Sequence, residues 1–259
     1  MMANISDYKK NIIPFYKPAD FIVSKAKGSL VWDNNNNKYI DFTAGIAVTN
    51  LGHNNKELIK IMNEQSKKLW HLSPLYINQP AIDLSKKLCK NTFANKVYFC
   101  NSGAESVESA IKVARKYTSS FNKKKSEIIS FTSSFHGRTM TSISLANSKD
   151  LTEGFAPLLK GIKQHKYNQV HDLEKHFSEN TSAVILELVQ WHDGIIKADQ
   201  KFLKEIKRLS KKYKSLIIID EVQSGIGRTG SFFAYEQFNI KPDILCFAKG
   251  IANGFPIGG

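Results

Sequence analysis

Four short stretches carry side chains whose types and spacing could do chemistry. The first is Asn101-Ser102-Gly103-Ala104-Glu105, which follows the apolar run VYFC. A glycine where a strand turns into a helix lets the backbone approach an anion, and the free N–H groups of the helix start then point at it. An ordinary capped helix, with Asn101 or Ser102 as cap and Glu105 near the start, accounts for the same residues. The second is LIIIDEVQSGIGRTG, in which an aliphatic strand delivers Asp220 and Glu221 to a sheet edge. Acids so placed could hold magnesium in an NTPase, but that chemistry needs a Gly-Lys-Ser/Thr loop, and the chain has none. An Asp beneath a heterocycle, keeping a ring nitrogen protonated, stays open, as do acids that merely end a strand. The third, Ser133 to Thr139, follows EIISF and offers an aromatic, Phe135, to stack on a flat ring and Arg138 to fork onto a carboxylate. A loop with a core Phe and a surface Arg reads equally well. The fourth is PDILCFAKG, a strand ending in Lys249. Desolvation there would lower the amine's pKa and make it a nucleophile toward an aldehyde, although many such lysines only snorkel to solvent.

These stretches need elements to hold them. From about residue 55 helical and strand signals alternate. Leu58, Ile61, Met62 and Leu69 form one helical face, and Val107, Ala110, Ile111 and Ala114 another. Asp199 can cap a helix burying Phe202, Leu203, Ile206, Leu209 and Tyr213. VYFC (97–100), EIISF (127–131), AVILELV (183–189), LIIID (216–220) and ILCFA (244–248) read as strands. Continuously apolar strands separated by helices predict an α/β fold with a mostly parallel sheet covered on both faces. VWDNNNNKYIDF reads as a hairpin in a small N-terminal element. Ligands of such sheets sit at the carboxyl ends of the strands, where all four stretches fall. Anion cradle, ring stacker, buried Asp and terminal Lys together meet the needs of pyridoxal 5'-phosphate.

Composition excludes little else. The chain has 259 residues, 42% hydrophobic and 23% charged, which is ordinary for a globular protein. No apolar run is long enough to span a bilayer, and MMANISDYKK lacks the apolar stretch of a signal peptide. Cys89, Cys100 and Cys246 are odd in number and widely spaced, so they read as reduced core residues of a cytoplasmic protein, not as disulfides or a metal site. The formal charge of +14 comes from lysines scattered over helical faces, with one run, Lys123 to Lys125, placed in a loop. No nucleic-acid motif accompanies them; the charge suggests an acidic ligand and no more.

In YIDFTAGIAV (39–48), LGHNNKEL (51–58), LWHLSPLY (69–76), FCNSGAESVESAIKVARKY (99–117), FHGRT (135–139), LIIIDEVQSGIGRTGSFFAYE (216–236) and PDILCFAKGIANGFPIGG (242–259), the chain resembles the class III aminotransferases of fold type I, nearest the acetylornithine branch. The resemblance implies residues 1–50 as an N-terminal segment of a small domain and 51–259 as an incomplete large cofactor-binding domain, with a C-terminal domain absent. It implies that Gly103 and Ala104 bind the cofactor phosphate, Phe135 stacks on the pyridine ring and Asp220 pairs with its nitrogen. Glu221 lies in the same cofactor-binding run, Val222 packs on the other ring face, Gln223 contacts the ring hydroxyl and Lys249 holds the cofactor as a Schiff base. Arg138 and Glu187 fall to substrate binding. The implied reaction moves the terminal amine of an N-acetylornithine-like amino acid to 2-oxoglutarate, as in arginine biosynthesis, in a homodimer. Ornithine, succinylornithine or 4-aminobutyrate as donor, an aminomutase, or a non-catalytic truncated chain are the alternatives.

One stretch departs from the family's pattern. Where relatives read Glu-Pro-x-x-Gly-Glu-Gly-Gly, this chain has Glu187-Leu188-Val189-Gln190-Trp191-His192-Asp193-Gly194. Trp191 replaces a glycine, and His192 the second glutamate, which in relatives can pair with a substrate-site arginine. The expectation is a reshaped pocket that tells its two substrates apart differently.

Overall fold

Each apolar run becomes a strand or helix because it has two faces to cover. The computed structural model describes residues 5–259. The chain packs as two compact units, Met1–Asn78 and Gln79–Gly259. Within the first unit, reciprocal backbone hydrogen bonds tie His53 to Gly28 (2.8 and 2.9 Å), and His53 Nε2 meets Asp41 Oδ2 at 2.8 Å.

The first unit holds α1 (Ile5–Asn11), an antiparallel sheet of β1 (Val23–Lys27), β2 (Leu30–Asp33) and β3 (Lys38–Ile40), the turn α2 (Ala44–Ala47), and α3 (Lys56–Ser66). The hairpin read at the asparagine run joins β2 to β3. Asp33 organises it, its carboxylate accepting from the backbone of Asn35 and Asn37, from Asn37 Nδ2 and from Tyr39 Oη, and Asn36 takes the left-handed φ of 64°. Leu69 falls beyond the end of α3.

The second unit contains α4 (Gln79–Asn91), α5 (Gly103–Ser119), β4 (Glu127–Phe131), α6 (Met140–Ala146), α7 (Lys149–Thr152), β5 (Ile162–His165), β6 (Thr181–Leu186), β7 (Val189–Gln190), β8 (Ile196–Lys197), α8 (Gln200–Tyr213), β9 (Leu216–Asp220) and β10 (Ile244–Cys246). Five strands form one parallel sheet in the order β10-β9-β6-β4-β5. Successive side chains of a strand point to opposite faces, and both faces here are apolar. Ile128, Ala183, Ile185, Ile218 and Cys246 pack with Val107, Ala110, Ile111 and Ala114 of α5. Ile129, Val184, Leu186 and Ile219 pack on the other face with Phe202, Leu203, Ile206 and Leu209 of α8. At about 25 cal/mol per Å² of buried apolar surface, this two-sided burial dominates the unit's stability.

Three local details differ from the sequence reading. VYFC carries only a single antiparallel bridge among the described residues, Cys100 to Gly258. AVILELV is interrupted: β6 stops at Leu186, and Val189 pairs with Lys197 in the separate β7–β8 ribbon. Lys125 is not a loop charge in water; it is buried, and its Nζ donates to the carbonyls of Thr181 (2.7 Å) and Tyr213 (2.6 Å), closing the end of α8. Asp199 does stand at the N-cap of α8, but its side chain makes no capping hydrogen bond. Among the described residues no helix is long and apolar enough to cross a membrane, and no His, Cys, Asp and Glu cluster could hold a metal ion.

Candidate active site

The strand register sets the site. Leu186 of β6 lies beside Ile219 of β9, and Cys246 of β10 beside Asp220. One step further along, Glu187, Asp220 and the segment Phe247 to Lys249 emerge at the same carboxyl edge. The loop after β4 brings Phe135 and His136 to that edge as well.

Asp220 is buried and accepts two hydrogen bonds: Oδ1 from the Val222 N–H at 3.0 Å, and Oδ2 from His136 Nδ1 at 2.7 Å. Burial pulls the His136 pKa down, but the hydrogen bond and charge of Asp220, reinforced by Glu187, outweigh it and leave it raised. The far nitrogen, Nε2, is buried with no partner. His136 is therefore a candidate site residue that the sequence reading passed over. The available signal was a histidine between the stacking aromatic and the glycine of a strand-end loop.

Lys249 follows β10 with a left-handed φ of 48°, an uncommon conformation for a non-glycine residue. Desolvation lowers its pKa, while Asp220 and Glu187 oppose that shift and Arg228 adds to it. The amine is thus partly withdrawn from water and lies in the field of two carboxyl groups.

Glu187 is 4% exposed, and its Oε2 accepts the Phe135 N–H at 2.9 Å. Burial pushes its pKa up to about 8, with Asp220 adding to the rise and His136 opposing it. Glu221 lies apart from the other site residues. It is fully buried and accepts the backbone N–H groups of Ala234 (2.5 Å) and Tyr235 (2.7 Å), and burial raises its pKa to about 7. Both carboxyls have folded-state pKa values above the ordinary 4.5. The folded chain therefore keeps protons that the unfolded chain releases, and stability is full below about pH 4.5 and falls as pH rises toward 7 and 8. Glu187→Gln is expected to flatten this decline. Urea midpoints from pH 5 to 8 should lose a slope of up to about 1.4 kcal/mol per pH unit, the limit for one proton; an unchanged slope would show that Glu187 is ionised in the fold.

The start of α5 lies against the same turn. Ser102 caps the helix, accepting from Glu105 N at 3.2 Å, and Glu105 Oε2 accepts from Asn101 N at 3.0 Å. The capped-helix reading thus holds, and the amides of Gly103 and Ala104 still have no acceptor among the described residues. A Cβ placed on Gly103 would sit 2.6 Å from Val222 Cγ1, so the glycine lets helix and turn touch. Gly103→Ala is expected to cost about 1–3 kcal/mol in urea unfolding through overpacking, and Gly103→Ala/Val222→Ala to recover most of it.

On the opposite side Phe135 meets Trp191 edge-on, ring centroids 5.6 Å apart, and the Arg138 guanidinium lies 5.7 Å over the Phe135 ring. Ser133 bonds to Asp193, and Gln190 Nε2 donates to the Thr132 carbonyl at 3.1 Å, so the β7 segment is fastened to the loop after β4. Trp191 thus joins Phe135 in one aromatic wall, while His192 stays exposed. Gln223 follows Val222 in the turn and is half-buried. The assembled groups suit a flat heteroaromatic ligand with an anionic arm: unpaired helix-start amides, aromatic and aliphatic walls, a buried carboxylate and a desolvated amine.

Comparison with known proteins agrees with this arrangement. The sequence pattern of the family described as "Aminotransferase class-III" matches residues 14–259. The chain is 47% identical over 251 residues to the acetylornithine/succinyldiaminopimelate aminotransferase of Buchnera aphidicola from Schizaphis graminum, covering 96% of this chain and 62% of that protein. It is 45% identical to the succinylornithine transaminase of Photorhabdus laumondii, covering 100% of this chain and 65% of that one. Its fold superposes on ornithine aminotransferase of Toxoplasma gondii with a TM-score of 0.91 at 29% identity, over 98% of this chain and 61% of the other; that structure has partial occupancy of PLP at its active site. N-acetylornithine aminotransferase of Stenotrophomonas maltophilia gives a TM-score of 0.83 at 35% identity, over 98% and 63%. The chain thus spans under two thirds of the length of these relatives. With the family pattern running through every strand end that builds the site, the chain belongs to the class III aminotransferases.

Proposed function

We propose that this chain holds pyridoxal 5'-phosphate and serves the transfer of a terminal amine from an N-acetylornithine-like amino acid to 2-oxoglutarate, a reaction of arginine-biosynthesis type. The observation that carries this reading is the buried pair Asp220–His136 at the end of β9, beside the desolvated Lys249 after β10. The names of the relatives, acetylornithine and succinylornithine aminotransferases, support the donor class.

When bound, the cofactor supplies an aldehyde that condenses with amines and a protonated ring that takes up the electron pair left by deprotonation. The chain's own residues do the rest. Gly103 and Ala104 offer N–H groups at a helix start to the phosphate. Asp220 holds a proton at the ring nitrogen, and His136 fixes which way that carboxylate points. Phe135 and Val222 would pack against the ring, and Gln223 would contact the ring hydroxyl. Lys249 Nζ, lowered in pKa by desolvation, would hold the cofactor and could move a proton at the substrate carbon. Arg138 forks onto a substrate carboxylate, and Glu187, neutral below about pH 8, lets the pocket accept that carboxylate without a second negative charge. Loss of the family's second glutamate to His192 leaves donor and acceptor to be told apart by shape, with Trp191 narrowing the wall.

The assembly we propose is a homodimer in the cytoplasm. In the first unit Phe42, Trp70, Leu75 and Ile77 are 91%, 87%, 87% and 85% exposed, more apolar surface than a monomer normally leaves in water.

The test is a half-reaction. The protein purified with pyridoxal 5'-phosphate is expected to show a visible absorption band that N-acetylornithine bleaches faster than ornithine or 4-aminobutyrate. Equal or faster bleaching by 4-aminobutyrate would sink the donor assignment, and absence of a band would sink the cofactor assignment.

A further inference from the structure

Part of the formal charge of +14 gathers in one row on the fold. The apolar residues of α8 pack against the sheet, and none of them is exposed. Lys204, Lys207 and Lys211 stand three and four residues apart and so share a face of that helix, and Lys214 follows at its C-cap. Lys204, Lys211 and Lys214 are exposed, and Lys207 Nζ rests on the Asn239 carbonyl at 2.9 Å. At about 1.5 Å per residue the row is about 15 Å long. None of the four lysines has an ion-pair partner among the described residues. The acids at hand, Glu174 and Glu205, hold Arg208 and Lys212 instead, on the flank where Glu174 lies. The fold then extends the row from a distant part of the chain. Lys125 Nζ bonds the carbonyl of Tyr213, the residue before Lys214, at 2.6 Å. It thereby fixes the exposed Lys123 and Lys124 near the end of the helix, beside Glu179. That end lies at the amino edge of the sheet, since Lys125 leads into β4 and Lys214 into β9.

We propose that this lysine row is a docking surface for the phosphate backbone of double-stranded DNA, bound without regard to base sequence. Each strand of a duplex carries one phosphate charge per about 3.4 Å of axis, so about 15 Å of helix meets about four of them. That is one for each of Lys204, Lys207, Lys211 and Lys214, whose flexible stems let each ammonium find its phosphate. Backbone contacts position a duplex without reading its bases, so they need no recognition motif and no aromatic platform. An acidic protein is a poorer match, because protein interfaces are built around an apolar or aromatic centre and α8 exposes none. An anionic membrane is poorer too. A plane would press on the flank of Glu174 and Glu205 as well as on the row, whereas a single file of charges suits a linear polyanion.

The experiment measures fluorescence anisotropy of a labelled duplex of about 20 base pairs with the full chain, between about 20 and 200 mM KCl. Four phosphate contacts predict that log K falls against log salt with a slope of about −3.6 or steeper, at about −0.9 per contact. Lys204→Gln/Lys207→Gln/Lys211→Gln should lessen that slope by about 2.7. Lys86→Gln/Lys87→Gln/Lys90→Gln takes the same charge from exposed positions of α4 and should leave it nearly unchanged. Glutamine keeps the helix propensity of lysine and surface positions tolerate such changes, so both variants are expected to fold as the native chain does. An equal loss of slope in the two variants would make the effect one of net charge and overturn the proposal. Tighter binding to polyglutamate or to phosphatidylglycerol vesicles than to the duplex at the same salt would also overturn it, as would no binding at the lowest salt. The readout needs no cofactor, so it stands or falls separately from the cofactor assignment.

Discussion

Lys249→Ala is expected to abolish covalent retention of the cofactor and to lower transamination at least about 10⁴-fold, the range lost with a nucleophile that also transfers protons. The argument is positional. Lys249 stands after a buried strand, with a left-handed φ, its amine desolvated and flanked by Asp220 and Glu187. Borohydride treatment followed by peptide mass mapping should find the cofactor on Lys249 in the native chain and on no lysine in the variant. Lys249→Arg separates charge from nucleophilicity, because a guanidinium stays protonated; it should fail as completely as alanine. Thermal unfolding should change little for either, since the side chain is half-exposed and a substitution of this kind stays near 0.5 kcal/mol. Cofactor fixed to a different lysine would overturn the assignment.

The largest stability effect should come from His136→Leu. It leaves Asp220 buried with its charge uncompensated, a loss of about 3–5 kcal/mol. His136→Leu/Asp220→Leu removes both charges, and urea unfolding should return most of that loss, giving a strong coupling in the double-mutant cycle. The sign of the pH dependence follows from the raised pKa of His136. Its stabilising contribution is full below the unfolded value near 6.5 and is lost as pH rises through the folded one. The penalty of His136→Leu should thus be greatest near pH 6 and smaller in alkali. Additive single effects at pH 6 would mean that the two groups do not act as a pair.

The parts of this fold that sequence revealed are those where one physical demand dominates. LIIID and the AVIL of AVILELV must be strands buried on both faces, and the α8 sequence has five apolar residues on one side and lysines on the other. Asp220 ends one such strand, and Lys249 follows another. What stayed hidden depended on partners distant in the chain. IKQH forms β5 because β4 offers it an edge, not because its own pattern alternates. Glu221 looked equivalent to Asp220, yet one residue's difference on a strand turns its carboxylate to the backbone of Ala234 and Tyr235. His136 is an ordinary loop histidine until β9 brings a carboxylate to within 2.7 Å of it. Lys125 became buried because two carbonyls from separate elements converge on it.

The strand order β10-β9-β6-β4-β5 also bears on how the molecule is made. A ribosome delivers β4 first, then β5 to one flank of it and β6 to the other; β9 and β10 each add to the edge just completed. The helix α5, synthesised before any of these strands, waits with its apolar face uncovered until the sheet grows across it. Every strand up to β10 can therefore join as it emerges, against a finished neighbour, and domains are built from the N-terminus in the same direction. Gly258 and Gly259 are the exception: they must enter between two edges already in place. Their insertion is expected to follow the meeting of the strands that lead to Glu187, Asp220 and Lys249.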